Sequence, residues 1–236
     1  LMRIADDKAQ ALFDNCFEIV SGPDAPDMTF QELDKELILY LTNENPISNN
    51  YQENYLTFDP GTPEWTSSGE YLDTLARSYT FQGYMIYQLV DGTVGPDELE
   101  NVERARLIDQ CDVSDEVGML INYAQDATME IPVPALMVNG ENAGIRHSFQ
   151  LTKDAFAQGS NTLINYKTYY FMAIAYGYNY YEPYNSIALT GQSKPYLASR
   201  KSAIGSIRTY TAIPHPVMTE AGGTIQAADY GDGVSL

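Results

Sequence analysis

The pattern of apolar and polar positions is strongest over Leu163-Ile-Asn-Tyr-Lys-Thr-Tyr-Tyr-Phe-Met-Ala-Ile-Ala-Tyr-Gly-Tyr-Asn179. Read with a period of two, Tyr169, Phe171, Ala173 and Ala175 fall on one face, and Tyr170, Met172, Ile174 and Tyr176 on the other. Both faces are apolar or aromatic, so the pattern predicts a central strand covered on both sides. The run is long enough for a helix. Five Tyr or Phe between Tyr166 and Tyr176, closed by Gly177 and Asn179, favour the extended chain. The entry Leu163-x-Asn165-x-x-x-Tyr169 has the spacing of a tyrosine corner, in which a ring enters the core and its hydroxyl bonds to backbone a few residues upstream. An exposed Tyr170, Met172, Ile174 face would be an association surface, so a long insertion or a neighbouring module is expected to pack over it.

Weaker patterns fill in the rest. Residues 3–17 place Ile4, Ala9, Leu12, Phe13 and Cys16 near helical spacing, as a short helix or an irregular apolar arm. Ser21-Gly-Pro-Asp-Ala-Pro26 reads as the entry to a domain. An edge segment follows near 28–33, and Leu37-Ile-Leu-Tyr-Leu41 gives a buried strand near 36–42. Further strands are expected at Tyr79–Val90, Ala105–Val113, His147–Leu151 and Ser202–Ile213. The domain so outlined spans 23–213, between an arm or preceding module at 1–22 and a linker at 214–236. Two long insertions interrupt it. The first, about 43–78, is turn-rich yet carries aromatics, so it should pack down on the body. The second, about 114–145, holds two apolar stretches and Asn139-Gly140, a hairpin turn signal that points to a small ribbon.

Composition narrows the function classes. Among 236 residues, 32 acidic and 13 basic side chains leave a formal charge of −19, which opposes binding to nucleic acid or to anionic membrane surfaces. No apolar run reaches the roughly 20 residues that span a bilayer, so no membrane insertion is expected. The opening Leu1-Met2-Arg3-Ile4 lacks the basic head and apolar run of a secretory leader; it suggests a processed product or a piece of a longer polypeptide. Cys16 and Cys111 are the only cysteines. They form one disulfide bridge, or stand as separate buried thiols.

The residues offer little for catalysis. His147 and His215 have no Cys, His or Glu at metal-ligand spacing, no Gly-x-Ser-x-Gly elbow occurs, and no glycine-rich phosphate loop precedes a helix. Asp109, Asp112, Asp115 and Glu116 are close enough in sequence to offer calcium several oxygens, although their spacing is not Asp-x-Asp-x-Asp-Gly and a solvated acidic face is the favoured explanation. Trp65 and Tyr71 in the first insertion, with Tyr178, Tyr180, Tyr181 and Tyr184 beyond the central strand, form a candidate platform for glycans. The alternative is that these rings cap the sandwich and pin the insertions.

Seven strands around one core, with a tyrosine corner on the sixth, resemble a fibronectin type III-like sandwich. The resemblance covers roughly 23–213. It is carried by Pro23-Asp-Ala-Pro26, by Leu37-Ile-Leu-Tyr-Leu41 as second strand, by Phe81-Gln-Gly-Tyr-Met-Ile-Tyr87 as third and by Leu163 to Ala175 as sixth. It implies an all-β fold of the fibronectin type III/immunoglobulin-like kind, with both insertions outside the usual length of about 100 residues. The tryptophan common on the family's second strand is missing, since Trp65 lies in an insertion. More narrowly, Asn15-Cys-Phe-Glu-Ile-Val-Ser-Gly-Pro-Asp-Ala-Pro26, Lys167-Thr-Tyr-Tyr-Phe171 and Thr211-Ala-Ile-Pro-His215 resemble modules of very large Bacteroidota surface proteins exported by type IX secretion. That likeness implies an extracellular, non-catalytic structural or interaction module that spaces or joins neighbouring modules or subunits. A carbohydrate-binding accessory domain of a secreted hydrolase is the alternative.

Overall fold

In the computed structural model, residues 20–125 and 131–216 are described. They form an all-β sandwich of antiparallel sheets. Along the chain the strands are β1 (Asp27–Leu33), β2 (Glu36–Thr42), β3 (Leu56–Phe58), β4 (Ser78–Leu89), β5 (Ala105–Asp112), β6 (Met119–Gln125), β7 (Pro132–Asn139), β8 (Ser148–Leu151), β9 (Tyr169–Tyr178), β10 (Tyr196–Ala198) and β11 (Tyr210–Ala212). One sheet has the order β1-β2-β8. The facing sheet runs β10-β9-β4-β3, with β11 also on β9 and β5 also on β4. β6 and β7 form a separate two-stranded ribbon.

Strict alternation builds the space between the sheets. Leu37, Leu39 and Leu41 of β2 point inward with Phe149 and Leu151 of β8, and meet Phe171, Ala173 and Ala175 of β9 in one buried cluster. Phe30 reaches across from β1 to Phe171, ring centroids 5.1 Å apart. On β4 the inward residues switch parity from Phe81 to Tyr84, and the pairing with β9 slips between Phe81 and Gly83. That slip is a bulge, which resets which side chains face the core.

The predicted central strand is therefore β9, hydrogen-bonded on both edges. Tyr169 enters the core at 2% exposure beside Leu163, and its hydroxyl accepts the Ile164 N–H at 2.9 Å. Asn165 reaches the turn between β1 and β2: its Oδ1 accepts the Lys35 N–H at 2.7 Å and its Nδ2 donates to Asp34 at 2.6 Å. The three-residue spacing around the corner thus ties the entrance of β9 to the opposite sheet.

The outer face of β9 has its own cover. Met172, Ile174 and Tyr176 pack with Leu120 and Val138 of the ribbon, with Val94 from the connection between β4 and β5, and with Ala105 at the start of β5. The second insertion is the covering element. The first packs instead at one end, where β3 extends the sheet beside β4 and the Tyr55 hydroxyl donates to the Ser21 carbonyl at 2.7 Å. A neighbouring module is not needed to close this sheet.

Several expectations need correction. The last strand is not one piece over 202–213: the edge of the sheet is shared by β10 and β11, with a Ser202–Gly205 turn between them. Gly205 lies at φ +134°, a region side-chain-bearing residues avoid, and breaks the strand there. Asn139-Gly140 is not the ribbon's turn but its exit. A Cβ at Gly140 would lie 2.1 Å from an Asp112 carboxylate oxygen, so glycine is required where the chain passes that side chain. The arm at 1–22 and the linker at 214–236 lie mostly outside the described residues, as does the expected helix at 3–17. The parts that are described pack onto the body: Gly22 is buried, and the Pro214 carbonyl accepts the Tyr166 N–H at 2.8 Å. Cys16 is likewise outside the described residues. Cys111 is a buried thiol whose sulfur contacts the Arg146 backbone, and burial raises its pKa.

Candidate functional site

Beyond Gly177 the chain keeps its strand alternation for three more residues, and this sets the site. Asn179 turns inward and is 3% exposed. Its Nδ2 donates to the Ala76 and Ser78 carbonyls at 2.9 and 2.6 Å, and its Oδ1 accepts Gln192 Nε2 at 2.8 Å. Tyr178 and Tyr180, on either side of it, therefore stand outward together. Their rings are nearly parallel, 13° apart, with centroids separated by 6.2 Å. The loop that follows is pinned at its far end, where the Tyr79 hydroxyl donates to the Lys194 carbonyl at 2.6 Å.

The ribbon supplies the opposite wall. Alternation along β6 buries Leu120 and leaves Ile121 and Tyr123 on the other face. The Tyr123 ring lies 4.6 Å from that of Tyr184. Tyr123 N–H donates to the Ser193 carbonyl at 2.7 Å, and the Asn122 side chain makes paired hydrogen bonds with the Tyr196 backbone, both at 3.0 Å. Ribbon and loop are stitched together along this seam. Between them lies an open groove of about 530 Å³, walled by Tyr178, Tyr180, Tyr184, Tyr123, Glu116 and Gln192 among others. Among the described residues, Glu116 is the one charged side chain of that lining.

Burial raises the Tyr178 pKa to about 12, with Tyr180 and Asp115 adding to the rise. Burial, then Tyr123, raises that of Tyr184. Both hydroxyls are thus protonated at neutral pH and able to donate as well as accept.

The groove gathers three of the six aromatic residues expected to bind ligand: Tyr178, Tyr180 and Tyr184. Tyr181, adjacent to Tyr180, is outside its walls; burial, Glu182 and Asp59 raise its pKa. Trp65 and Tyr71 pair with each other across a separate hairpin, centroids 5.1 Å apart, at 56% and 60% exposure. That hairpin touches the loop through Ser67, whose N–H donates to Glu182 at 3.1 Å. The sequence reading missed Tyr123, Glu116 and Gln192 as groove residues. Period-two alternation along Met119-Leu-Ile-Asn-Tyr123 is the signal that would have set Tyr123 apart from the buried Leu120.

The acidic residues expected to hold calcium are used otherwise. Asp109 pairs with Arg146 at 2.6 Å. Asp112 is 2% exposed and accepts the Asn142 N–H at 2.9 Å. Asp115 accepts the Val117 N–H and Gln82 Nε2 at 3.0 and 3.1 Å. Glu116 lines the groove. Asp109 and Asp112 are three residues apart on a strand and so face opposite sides of the sheet. Among the described residues, no three His, Cys, Asp or Glu side chains come together as a metal cradle. The histidines are paired too, His147 with Glu53 at 2.6 Å and His215 with Glu32 at 3.4 Å. No described helix is long and apolar enough to cross a membrane.

No family model, curated protein or solved structure matches the chain.

Proposed function

We propose that this chain is a non-catalytic interaction module, built as a fibronectin type III-like sandwich, within a large extracellular or cell-surface protein of the Bacteroidota type IX secretion kind. Its role is to present a fixed contact face to neighbouring modules, subunits or ligands. One observation carries this: the second insertion and the loop after β9 are held as one surface by hydrogen bonds from Asn122, Asn179, Tyr79 and Gln192. Long polar loops left free would lose ordering entropy on every contact they make; loops already fixed do not. The division of strands, with β1, β2 and β8 facing β4, β9 and its split edge, and the Tyr169 corner at the entrance of β9 support the family reading. The negative charge disfavours nucleic acid and suits a salt-exposed surface.

An apolar outer sheet open to partners no longer supports this role, because the ribbon covers that face. Contact is assigned instead to the ribbon end. The accessory carbohydrate-binding role gains one specific observation, the paired tyrosine faces of the groove. The test is made in the parent protein on intact cells. A membrane-impermeant amine reagent should label the chain without lysis, and groove substitutions should weaken attachment or assembly while leaving the fold intact. Labelling only after permeabilisation would overturn the extracellular placement, and groove substitutions without effect on attachment would overturn the contact face.

A further inference from the structure

The geometry points to a neutral carbohydrate chain as the ligand of the groove, stacked on Tyr178 and Tyr180 and donating hydrogen bonds to Glu116. This rests on reading the ribbon end as the contact face, and names what that face holds.

The rings are preorganised. Tyr180 is 49% exposed, yet its direction is set by Asn179, locked beneath it by three hydrogen bonds to two elements. Two near-parallel rings with centroids 6.2 Å apart along one strand edge form an open aromatic surface rather than a closed cage. The C–H faces of successive pyranose rings suit such a surface, while tyrosine hydroxyls at the ring tips remain available to sugar hydroxyls. A volume of about 530 Å³ is in the range of ordinary small-ligand sites.

Charge and hydrogen-bond polarity select among ligands. Among the described residues the lining contains no Lys or Arg, and its Glu116 is one of the acidic groups that bring the chain to −19. Phosphorylated, sulfated or uronic-acid ligands meet repulsion with nothing to pair with. A proline-rich peptide is the other ligand that aromatic grooves accept. Its prolines lack N–H groups, so it brings mostly carbonyl acceptors to a carboxylate that is itself only an acceptor. A polyol brings donors. That asymmetry favours sugar.

The chain would be run on native gels cast with hydroxyethyl cellulose, galactomannan, xylan or amylose, with polygalacturonate as the acidic comparison and a polyproline peptide tested by calorimetry. At least one neutral polysaccharide should retard the wild type and polygalacturonate should not. Tyr178→Ala and Tyr180→Ala should each weaken binding by about three- to tenfold, the range of one aromatic contact. Tyr180→Phe should keep most of it, and the double change Trp65→Ala, Tyr71→Ala should leave it unaltered. Thermal melts of each variant separate lost binding from lost folding. No retardation by any neutral polysaccharide, or retardation indifferent to Tyr180→Ala, overturns the inference. Polyproline binding that depends on Tyr180, with no sugar binding, overturns the ligand class but leaves the contact face standing.

Discussion

Changing Tyr169 to Phe removes a single oxygen from the centre of the fold and leaves its ring in place. The hydroxyl accepts the Ile164 N–H at 2.9 Å, while the ring is buried beside Leu163. Phenylalanine retains the apolar packing, so the loss is confined to that hydrogen bond. A net intramolecular hydrogen bond is worth about 0.5–1.5 kcal/mol, and leaving the donor dry would add to this. The Ile164 side chain is 59% exposed, so water can reach this turn and the lower figure should hold, about 1 kcal/mol. For a domain of this size, that lowers the melting temperature by roughly 2–4 °C. Tyr166→Phe is the control: its side chain is 71% exposed, and such surface changes fall within about 0.5 kcal/mol. Urea unfolding followed by circular dichroism gives both values, with the m-value unchanged if only the native state is affected. A Tyr169→Phe protein as stable as wild type would show that the corner is not what fixes the entrance of β9.

Two buried carboxylates should respond to acid in opposite directions. Asp112 has its pKa raised, chiefly by burial, so its proton favours the fold. Its contribution is complete below the unfolded value of about 3.9 and is lost as pH rises through the folded value. Asp112→Asn should therefore be more stable than wild type near pH 7, and urea titrations should show the gap closing toward about pH 4. For Asp154, burial pushes the pKa up, but hydrogen bonds from Lys167, Gln88 and the Phe156 N–H together bring it below the ordinary value. Its contribution is present above about 3.9 and lost as pH falls through the folded value, so Asp154→Asn should be less stable near pH 7 and match wild type in strong acid. Parallel pH profiles for the two variants would contradict both assignments.

Much of the sandwich was legible because burial on both faces leaves an unmistakable run. β2, β4 and β9 were visible as apolar stretches, and the corner as the interval from Leu163 to Tyr169. β10 was not, since Tyr196-Leu-Ala198 is three residues long, follows Pro195 and takes its place only by pairing with β9. The covering ribbon could be foreseen from the need to shield Met172 and Ile174, but sequence did not tell which insertion would do it. In the site, Tyr178 and Tyr180 were recoverable from strand alternation, and the same rule sends Asn179 inward. That Trp65 and Tyr71 pair with each other on a hairpin apart from the groove was not legible, because their partner choice is set in space. The separate use of the acidic residues was not legible either: Asp109 and Asp112 point to opposite faces of the sheet and bond different residues, Arg146 and Asn142, of the connection between β7 and β8.

Native-state hydrogen exchange tests most directly whether the ribbon and the loop after β9 are fixed parts of the body. The diagnostic amides are those of β9, together with Tyr123, which donates to Ser193, and Asn179, which donates to Pro195 at 3.1 Å. All should be protected well beyond fraying termini, with β9 the slowest, opening only with the whole domain. If Tyr123 and Asn179 exchange as freely as a mobile loop while β9 stays protected, the ribbon is no cover and the groove is no preformed face.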